Sequence, residues 1–261
     1  MNIVDKVCYA IGTRLVSKHQ PARTPAEYGE SPQFARQFRS FGKEHASLGR
    51  SEPLRWEDRY PCLQDNTVET PFDRHYLYHP AWAARVLSRT RPSRHIDISS
   101  SLSFCTIVSA FIPVSFYDFR PAPVVLENLC CGQADLTSLS FETASVESIS
   151  CMHVIEHIGL GRYGDPLDAR GDLKALNELV RVVRPGGDLL LAVPVGDARV
   201  QFNAHRIYDH MQFLAYLGNM QLMEFAVVPD DPAPDGYLID PDGDFVRRQR
   251  YGCGCFWLRK K

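Results

Sequence analysis

Two imidazole side chains and one carboxylate fall within five residues of one another, at His153, Glu156 and His157. Imidazole groups exchange protons near neutral pH, and a neighbouring carboxylate can orient the ring. The cluster follows an apolar stretch, residues 148–152, and so stands at the end of an expected strand. It is the part of the sequence best suited to acid–base chemistry. For each histidine, a structural, hydrogen-bonded role is the alternative interpretation.

The same cluster spells H-x-x-E-H, the motif of the inverted zinc proteases. That chemistry needs both imidazoles on one helical face, with the carboxylate as general base. Gly159 and Gly161 follow directly, so we expect no sustained helix here. Three further histidines could nominally add ligands: His75, His79 and His205. We rank a zinc hydrolase as a distant third interpretation and expect no metal.

The cluster belongs to a predicted βαβ unit. Residues 148–154 predict a buried strand, 173–183 a helix with one apolar face, and 188–193 a second buried strand. The helix ends at residues 184–187, because Pro185 cannot continue it and glycine supplies a left-handed turn. Strands joined through a helix run parallel, and open parallel sheets bind ligands at the carboxyl ends of their strands. The cluster is therefore expected to lie at a ligand site.

Three acidic residues also follow predicted strands: Asp97, Asp118 and Asp135. Asp118 comes 21 residues after Asp97, close to the spacing at which nucleotide-binding folds place a ribose-binding acid. Its carboxylate would accept hydrogen bonds from the ribose hydroxyls. Asp135 is placed to accept from an adenine amino group. Acids are common at strand ends, but three in succession point to a nucleotide-type ligand.

The remaining segments alternate between strands and helices. This alternation predicts an α/β fold, a Rossmann-like doubly wound and mostly parallel seven-stranded sheet with an antiparallel edge pair. The antiparallel pair is formed by the last two strands, which the loop 229–244 connects. The first of the other predicted strands begins at His95, and the rest cover Val114–Asp118, Val125–Leu129, Leu222–Val228 and Tyr251–Leu258. The other predicted helices cover Ile107–Ala110 and Met211–Leu217.

Residues 1–90 predict an irregular, partly helical extension that wraps the core, ahead of a domain at 91–261. Ile3, Val7, Ile11 and Leu15 mark one face of a first helix, for which packing on the protein is favoured over a membrane-surface anchor. A short helix is predicted at 33–41, an extended loop at 52–73 and a helix at 80–90, with Pro80 in its first turn.

Aromatic and imidazole side chains crowd the segment before the helix at 80–90, at His75, Tyr76, Tyr78 and His79. Two interpretations stand equal. The segment is either a packed aromatic lead-in to the helix or a lid over a planar ligand.

Composition excludes several classes of protein. The net charge is −2, which gives no overall attraction to nucleic acid, although arginines and lysines at 247–261 form a local basic patch. No apolar run approaches the length that spans a bilayer, and the N-terminus is not a good signal peptide. The eight cysteines are scattered, which favours a reducing, cytoplasmic location. Cys253 and Cys255 are spaced too tightly for a common zinc or redox motif.

The sequence resembles the class I S-adenosylmethionine-dependent methyltransferases over residues 93–258. The matching motifs are HIDIS, VSFYD, QADLTSLSF, SISCMHVIEHI and ELVRVVRPGGDLLLAVPV. The combination of VIEHI with RVVRPGG is more specific than any single glycine motif. Longer segments, including FDRHYLYHPAW and HVIEHIGLGRYGDPLDARGDL, resemble an uncharacterised methyltransferase-like family, domain of unknown function 268.

This resemblance implies an enzyme that binds S-adenosylmethionine and transfers its methyl group. The implied cofactor-binding residues are Asp97, Ser99, Ser100, Ser101, Asp118, Asp135 and His153. The implied base is His157, then His153, then His205, with Glu156 orienting one of them. The implied substrate-binding residues are Arg162, Tyr163, Asp165, Asn203 and Arg206. Asp168 has an alternative role as the N-cap of the following helix.

The implied acceptor is a small molecule or a sugar of a glycan precursor, in the context of polysaccharide biosynthesis. One departure from the family pattern matters, because the turn at residues 98–104 contains no glycine. Backbone approaches a cofactor closely at this turn, and serine adopts a positive φ less readily than glycine. The alternative is therefore a non-catalytic binding or scaffold protein that keeps the fold and has lost the cofactor.

Overall fold

The structure is a computed structural model that describes residues 31–261. The helical face predicted at Ile3, Val7, Ile11 and Leu15 lies outside the described residues. Within them the chain forms two compact units, residues 31–71 and 72–261. The predicted boundary at residue 90 differs from this division.

The first unit is built on helix α1, Pro32–Ser47, which is longer than the helix predicted at 33–41. Ser31 caps it by accepting from the Phe34 N–H at 3.4 Å, and proline suits the first helical turn. The Trp56 ring lies edge-on to Phe38, with centroids 4.9 Å apart. Trp56 begins a 3-10 turn that runs to Asp58, inside the segment predicted as extended loop.

The second unit is organised around one large sheet. The strands of this unit are β1 His95–Ile98, β2 Val114–Asp118, β3 Leu129–Gln133, β4 Val146–Met152, β5 Val183–Val195, β6 Arg199–Gln201, β7 His205–Ile207, β8 Met220–Val228, β9 Leu238–Ile239 and β10 Gly252–Lys260. In the sheet they stand in the order β3-β2-β1-β4-β5-β10-β8-β9. A separate hairpin consists of β6 and β7.

The predicted Rossmann-like fold is confirmed. Strands β1 to β5 pair in parallel, and β10 pairs antiparallel with both β5 and β8. Within residues 31–261 the sheet has eight strands instead of the predicted seven, because Ile239 of the predicted loop pairs with Ala226 of β8. The prediction for β3 was displaced. Pairing sets Leu129 opposite Val114 of β2 and leaves Val125 80% exposed, outside the strand.

Five helices complete the second unit: α2 Arg74–Thr90, α3 Leu102–Val108, α4 Gly171–Val182, α5 His210–Ala215 and α6 Gly243–Arg247. Helix α2 begins before the predicted start, because Asp73 caps it by accepting from the Tyr76 N–H at 3.1 Å. Pro80 consequently lies inside the helix and not in its first turn. Trp82 and Leu87 of α2 are buried in the core, so α2 is part of this unit and not of the extension.

Helices α2 and α3 cover one face of the sheet, and α4 and α5 contribute to the core on the other. Leu176 and Leu179 of α4 are fully buried, as the predicted apolar face requires. Helix α3 begins at Leu102, ahead of the predicted Ile107, because Ser101 caps it. No helix in residues 31–261 has the length and hydropathy that crossing a bilayer requires.

The carboxyl end of α4 is stabilised by a side chain from the last strand. The Lys260 ammonium donates to the carbonyls of Val180 at 2.7 Å and Val183 at 2.8 Å. These carbonyls have no partner inside the helix, and a cation at this end also interacts favourably with the helix dipole.

We predict that Lys260→Met lowers the free energy of unfolding by about 1–3 kcal/mol, because it leaves these helix-end carbonyls without donors. The matched control is Lys261→Met, since Lys261 is exposed and follows the strand. Chemical denaturation of both variants measures the difference. Equal unfolding free energies for the two variants would show that the contact contributes nothing.

Candidate functional site

Serine side chains and one left-handed residue build the turn after β1. Ser99 has a φ of 58°, the conformation that a glycine would otherwise supply. Its hydroxyl donates to the Tyr117 carbonyl at 3.3 Å, and the Ser100 N–H donates to Asp97 Oδ1 at 3.0 Å. Ser100 Oγ in turn accepts from the Met152 N–H at 2.9 Å. The turn therefore keeps a tight conformation without glycine.

Asp97 lies beneath this turn and is fully buried. Its second oxygen accepts from the Ser150 hydroxyl, and Ser150 Oγ also lies 2.8 Å from His95 Nε2. Burial raises the pKa of Asp97 to about 6, against the lowering effect of these hydrogen bonds. The predicted cofactor contact of Asp97 is corrected to a supporting role, because its carboxylate is occupied by the turn. Ser101 likewise caps α3.

A cavity of about 550 Å³ opens at the carboxyl ends of β1 to β4. Most of the predicted cofactor and substrate residues meet here. Those that line it are Ser99, Ser100, Asp118, Asp135, His153, His157, Tyr163 and Asp165. Parallel strands converge at this edge of the sheet, which explains why residues far apart in sequence share one cavity.

Asp118 and Asp135 each use one carboxylate oxygen to fix their own loop. Asp118 Oδ1 accepts from the Arg120 N–H at 2.7 Å. Asp135 Oδ1 accepts from the N–H of Thr137 at 2.8 Å and from its hydroxyl at 2.7 Å. Within residues 31–261 neither Oδ2 has a hydrogen bond, so both remain acceptors at the cavity wall.

His153 ends β4 with a φ of 57°, which turns the chain sharply. The Nδ1 atom lies 2.8 Å from Glu156 Oε1. The ring stacks on His75 at a centroid distance of 5.2 Å and on Tyr76 at 5.5 Å. Burial lowers the pKa of His153, but Cys253 and Glu156 beside it raise the pKa by more, and the balance lies well above the ordinary value. His153 and Glu156 thus form a buried hydrogen-bonded pair.

His157 occupies a 3-10 turn, Ile155–His157, directly after β4. Its Nδ1 donates to the Ala204 carbonyl at 2.6 Å. Since a carbonyl only accepts, the proton sits on Nδ1 and Nε2 keeps its lone pair. Burial lowers the pKa of His157, although Glu156 opposes this shift. His157 is therefore neutral at pH 7, as a general base must be. The 3-10 turn also removes the helix that the zinc-protease motif needs.

Asp165 shapes the loop that covers one side of the cavity. Its carboxylate accepts from the N–H groups of Gly159 at 2.8 Å and Gly161 at 3.3 Å, and from that of Tyr163 at 3.2 Å. Burial raises the pKa of Asp165, but these hydrogen bonds lower it by more. Asp165 lines the cavity but is occupied by its own loop. Its predicted substrate contact is thus corrected to loop positioning.

Tyr163 is the exposed aromatic residue of this loop. The guanidinium of Arg120 lies 5.0 Å from its ring centroid and that of Arg162 lies 5.1 Å away. Arg162 Nη1 also donates to the Ala204 carbonyl at 3.0 Å. Tyr163 therefore lines the cavity with two cations near its ring.

Arg206 and Glu156 are buried and occupied by protein groups. Arg206 Nη1 donates to the Ile158 carbonyl at 2.7 Å, and its Nε lies 3.5 Å from Asp172 Oδ2. Glu156 is fully buried against His153. The predicted substrate contact of Arg206 is corrected to support of the 3-10 turn, and the orienting role predicted for Glu156 stands as a proposal.

His205 and Asn203 belong to the hairpin of β6 and β7 and do not line the cavity. The His205 ring lies 4.7 Å from Tyr251 and 6.4 Å from His157 by centroids. Burial lowers the pKa of His205. Asn203 is exposed. Neither is placed to contact a ligand in the cavity in this conformation.

Some residues of the site carried no clear signal in the sequence. Asp168, predicted to cap α4, lines the cavity and accepts from Lys174 Nζ at 2.6 Å, and Arg170 is the N-cap. Tyr76 belongs to the predicted aromatic segment and lines the cavity, whereas His79 of the same segment is buried, and the lid over a planar ligand stays a prediction. Cys253 reaches His153 through the position of β10, which local sequence does not reveal.

Comparisons with known proteins connect this geometry to a family. Residues 138–226 match the family model DUF268, described as a Caenorhabditis protein of unknown function. The matched segment includes β4, the histidine cluster, the loop of Asp165, and Arg206. The match covers about a third of the chain, so this segment is similar to that family. The resemblance read from the sequence is confirmed. No curated protein matches the chain.

Solved structures show the same fold at low sequence identity. A chain of the Haloferax volcanii complex that contains the Trm112 methyltransferase activator matches with a TM-score of 0.50 and 17% identity, over 72% of this chain and 90% of that one. The YcgJ protein from Bacillus subtilis matches with a TM-score of 0.50 and 13% identity, over 71% and 99%. N-methyltransferase NodS from Bradyrhizobium japonicum, in complex with S-adenosyl-L-homocysteine, gives 0.48 and 14%, over 85% and 97%. The chain has the class I methyltransferase-like fold.

The loop that Asp165 shapes depends on Gly159, whose φ is 81°. A Cβ atom there would lie 2.0 Å from the Asp168 carbonyl oxygen, whereas at Gly164, with a φ of 88°, it would meet nothing within 4 Å. Both glycines have a positive φ, which disfavours a side chain at either position. The difference between the two losses of stability therefore isolates the clash of the added Cβ atom with the Asp168 carbonyl oxygen. We predict that Gly159→Ala lowers the free energy of unfolding by about 2 kcal/mol more than Gly164→Ala. Equal losses in denaturation experiments would contradict this.

His95 makes stability depend on pH. Burial lowers its pKa from 6.5 to about 3, so below pH 6.5 the unfolded chain binds a proton that the folded chain does not. Its contribution is complete above pH 6.5 and is lost as pH falls towards 3, by about 1.4 kcal/mol per pH unit. We predict that the slope of the unfolding free energy against pH is flatter in His95→Gln by the equivalent of one proton, measured by denaturation between pH 7 and 4. Asp97 has a raised pKa and so contributes a slope of opposite sign, but it is present in both proteins and its contribution cancels in the comparison. Parallel slopes would contradict the assignment.

Proposed function

We propose that this protein binds S-adenosylmethionine and transfers its methyl group to a small-molecule or sugar acceptor. The observation that carries the proposal is the cavity at the strand ends, lined by Asp118 and Asp135 with a tight serine turn. These features occur in a class I methyltransferase-like fold, where that edge of the sheet is the expected ligand site.

The residues present fit a nucleoside with a positively charged substituent. The unoccupied Oδ2 of Asp118 would accept from ribose hydroxyls, and that of Asp135 from an adenine amino group. Ser99 and Ser100 bring backbone to the cavity wall. When bound, the cofactor supplies an electrophilic methyl group on sulfur.

His157 is the proposed base among the three candidate histidines. It lines the cavity, its Nε2 holds a lone pair, and its lowered pKa keeps it neutral at pH 7. It would accept the proton of an acceptor hydroxyl or amine through Nε2. The Ala204 carbonyl fixes the ring orientation. His153 is less suited because Glu156 holds its Nδ1 and its ring stacks on His75 and Tyr76.

Local chemistry supports a small polar acceptor. Tyr163 lies between Arg120 and Arg162, and Lys174 also lines the cavity. Cations and the aromatic ring of Tyr163 suit a hydroxyl-rich or anionic molecule, such as a sugar derivative of glycan biosynthesis. We propose that the reaction takes place in the cytoplasm and involves no nucleic acid.

A scaffold protein that has lost the cofactor is the second candidate. The absence of glycine from residues 98–104 favours it. Against it, Ser99 adopts the left-handed conformation that the turn requires, and Asp97 stabilises that conformation. The two candidates differ in one measurable property, which is affinity for the cofactor.

We predict that S-adenosylhomocysteine raises the melting temperature of the protein, because it binds the folded state selectively. At a ligand concentration of 100 times Kd the added stability is about 2.7 kcal/mol. Asp118→Ala should abolish the shift, and calorimetric titration should give the same result.

The matched control is Asp197→Ala, which removes an exposed acid that does not line the cavity. This variant should keep the wild-type shift. A folded wild-type protein that shows no shift at millimolar ligand would reject the methyltransferase proposal and support the scaffold.

A further inference from the structure

Three metal-ligating side chains converge beside the cavity from separate elements. They are His75 in the first turn of α2, His153 at the end of β4 and Cys253 in β10. One nitrogen or sulfur atom of each lies within 4.8 Å of those of the other two. We propose that His75, His153 and Cys253 bind one zinc-type divalent metal ion. This site shares His153 with the wall of the proposed cofactor cavity, but its other two ligands lie outside the cavity lining, and metal binding does not depend on the cofactor.

The donor set suits zinc better than a hard cation. Imidazole nitrogen and thiolate sulfur bind zinc, whereas calcium and magnesium prefer oxygen ligands. Three atoms no more than 4.8 Å apart lie at most about 2.8 Å from their common centre, and zinc bonds to nitrogen and sulfur are about 2.0–2.3 Å. Each atom therefore needs to move by less than about 0.8 Å.

An unpartnered nitrogen supports the same conclusion. His153 is 6% exposed, and within residues 31–261 its Nε2 has no hydrogen-bond partner. Glu156 occupies Nδ1 at 2.8 Å and so leaves Nε2 for a ligand. A carboxylate that holds the far nitrogen of a ligating imidazole is the usual second layer of zinc sites, because it fixes the ring and raises its basicity.

The surroundings hold the ligands in place and leave an entrance. The Tyr251 ring stacks on His75 at a centroid distance of 5.2 Å. Cys253 and His153 are buried, whereas His75 is partly exposed and gives an ion access from solvent. Three protein ligands leave a fourth position on zinc open. His153 also lines the cavity, so that position adjoins it.

Elemental analysis of the full chain tests the proposal. We expect one zinc ion per chain after incubation with zinc and removal of excess by dialysis. The variants Cys253→Ser and His75→Gln should lose it. Cys151→Ser changes a buried cysteine of β4 outside the proposed site and should retain the zinc ion. Glu156→Gln should keep the site but weaken zinc affinity by about 10–100-fold. Wild-type protein without zinc, or Cys253→Ser with a full ion, would overturn the proposal.

Cobalt substitution keeps the test decisive if a variant fails to fold. Cobalt(II) bound to the wild-type chain should show sulfur-to-cobalt charge-transfer absorption, because Cys253 supplies a thiolate. The same absorption should persist in Cys62→Ser, which removes an exposed thiol outside the site. Cobalt that binds to the wild-type chain without this absorption would overturn the ligand set.

Discussion

The buried carboxylate of Asp97 is the constraint on which the site depends. It accepts from the Ser100 N–H and the Ser150 hydroxyl, and these bonds tie the turn after β1 to β4. Ser99 can then occupy a left-handed conformation whose cost of about 1 kcal/mol would otherwise favour glycine. Because Ser99 and Ser100 line the cavity, these hydrogen bonds fix the shape of one of its walls. The price is a charged group inside the sheet, which burial disfavours.

Antiparallel β10 supplies the second organising feature. It lies between β5 and β8, so that Cys253 faces Pro194 of β5 and approaches the end of β4. His75 arrives from α2 on the same side. Both histidines after β4 line the cavity. His153 also contacts Glu156 and lies beside Cys253, whereas His157 is held by the Ala204 carbonyl.

Much of the fold was predictable because periodicity and turn chemistry are local. The apolar face of α4 and the alternation of buried strands specified a doubly wound sheet, and Asp118 and Asp135 were placed correctly at strand ends. The exact positions of strands and helices along the chain were harder to predict. The position of β3 depends on pairing with β2, and that of α2 on Asp73 as a cap, so both were displaced.

The site was predictable in its location but not in its contacts. Local sequence cannot tell that Arg206 and Asp165 are occupied by backbone groups, since those bonds form only after the loop closes. It also cannot tell that Cys253 meets His153, because the two residues are 100 positions apart and come from β10 and the end of β4, which β5 separates in the sheet.

A crystal structure of the protein with S-adenosylhomocysteine decides whether the cavity is a cofactor site. We expect nucleoside density in the cavity, with the ribose hydroxyls on Asp118 and the adenine beside Asp135. Density elsewhere on the fold, or an empty cavity in crystals soaked at millimolar ligand, would contradict it.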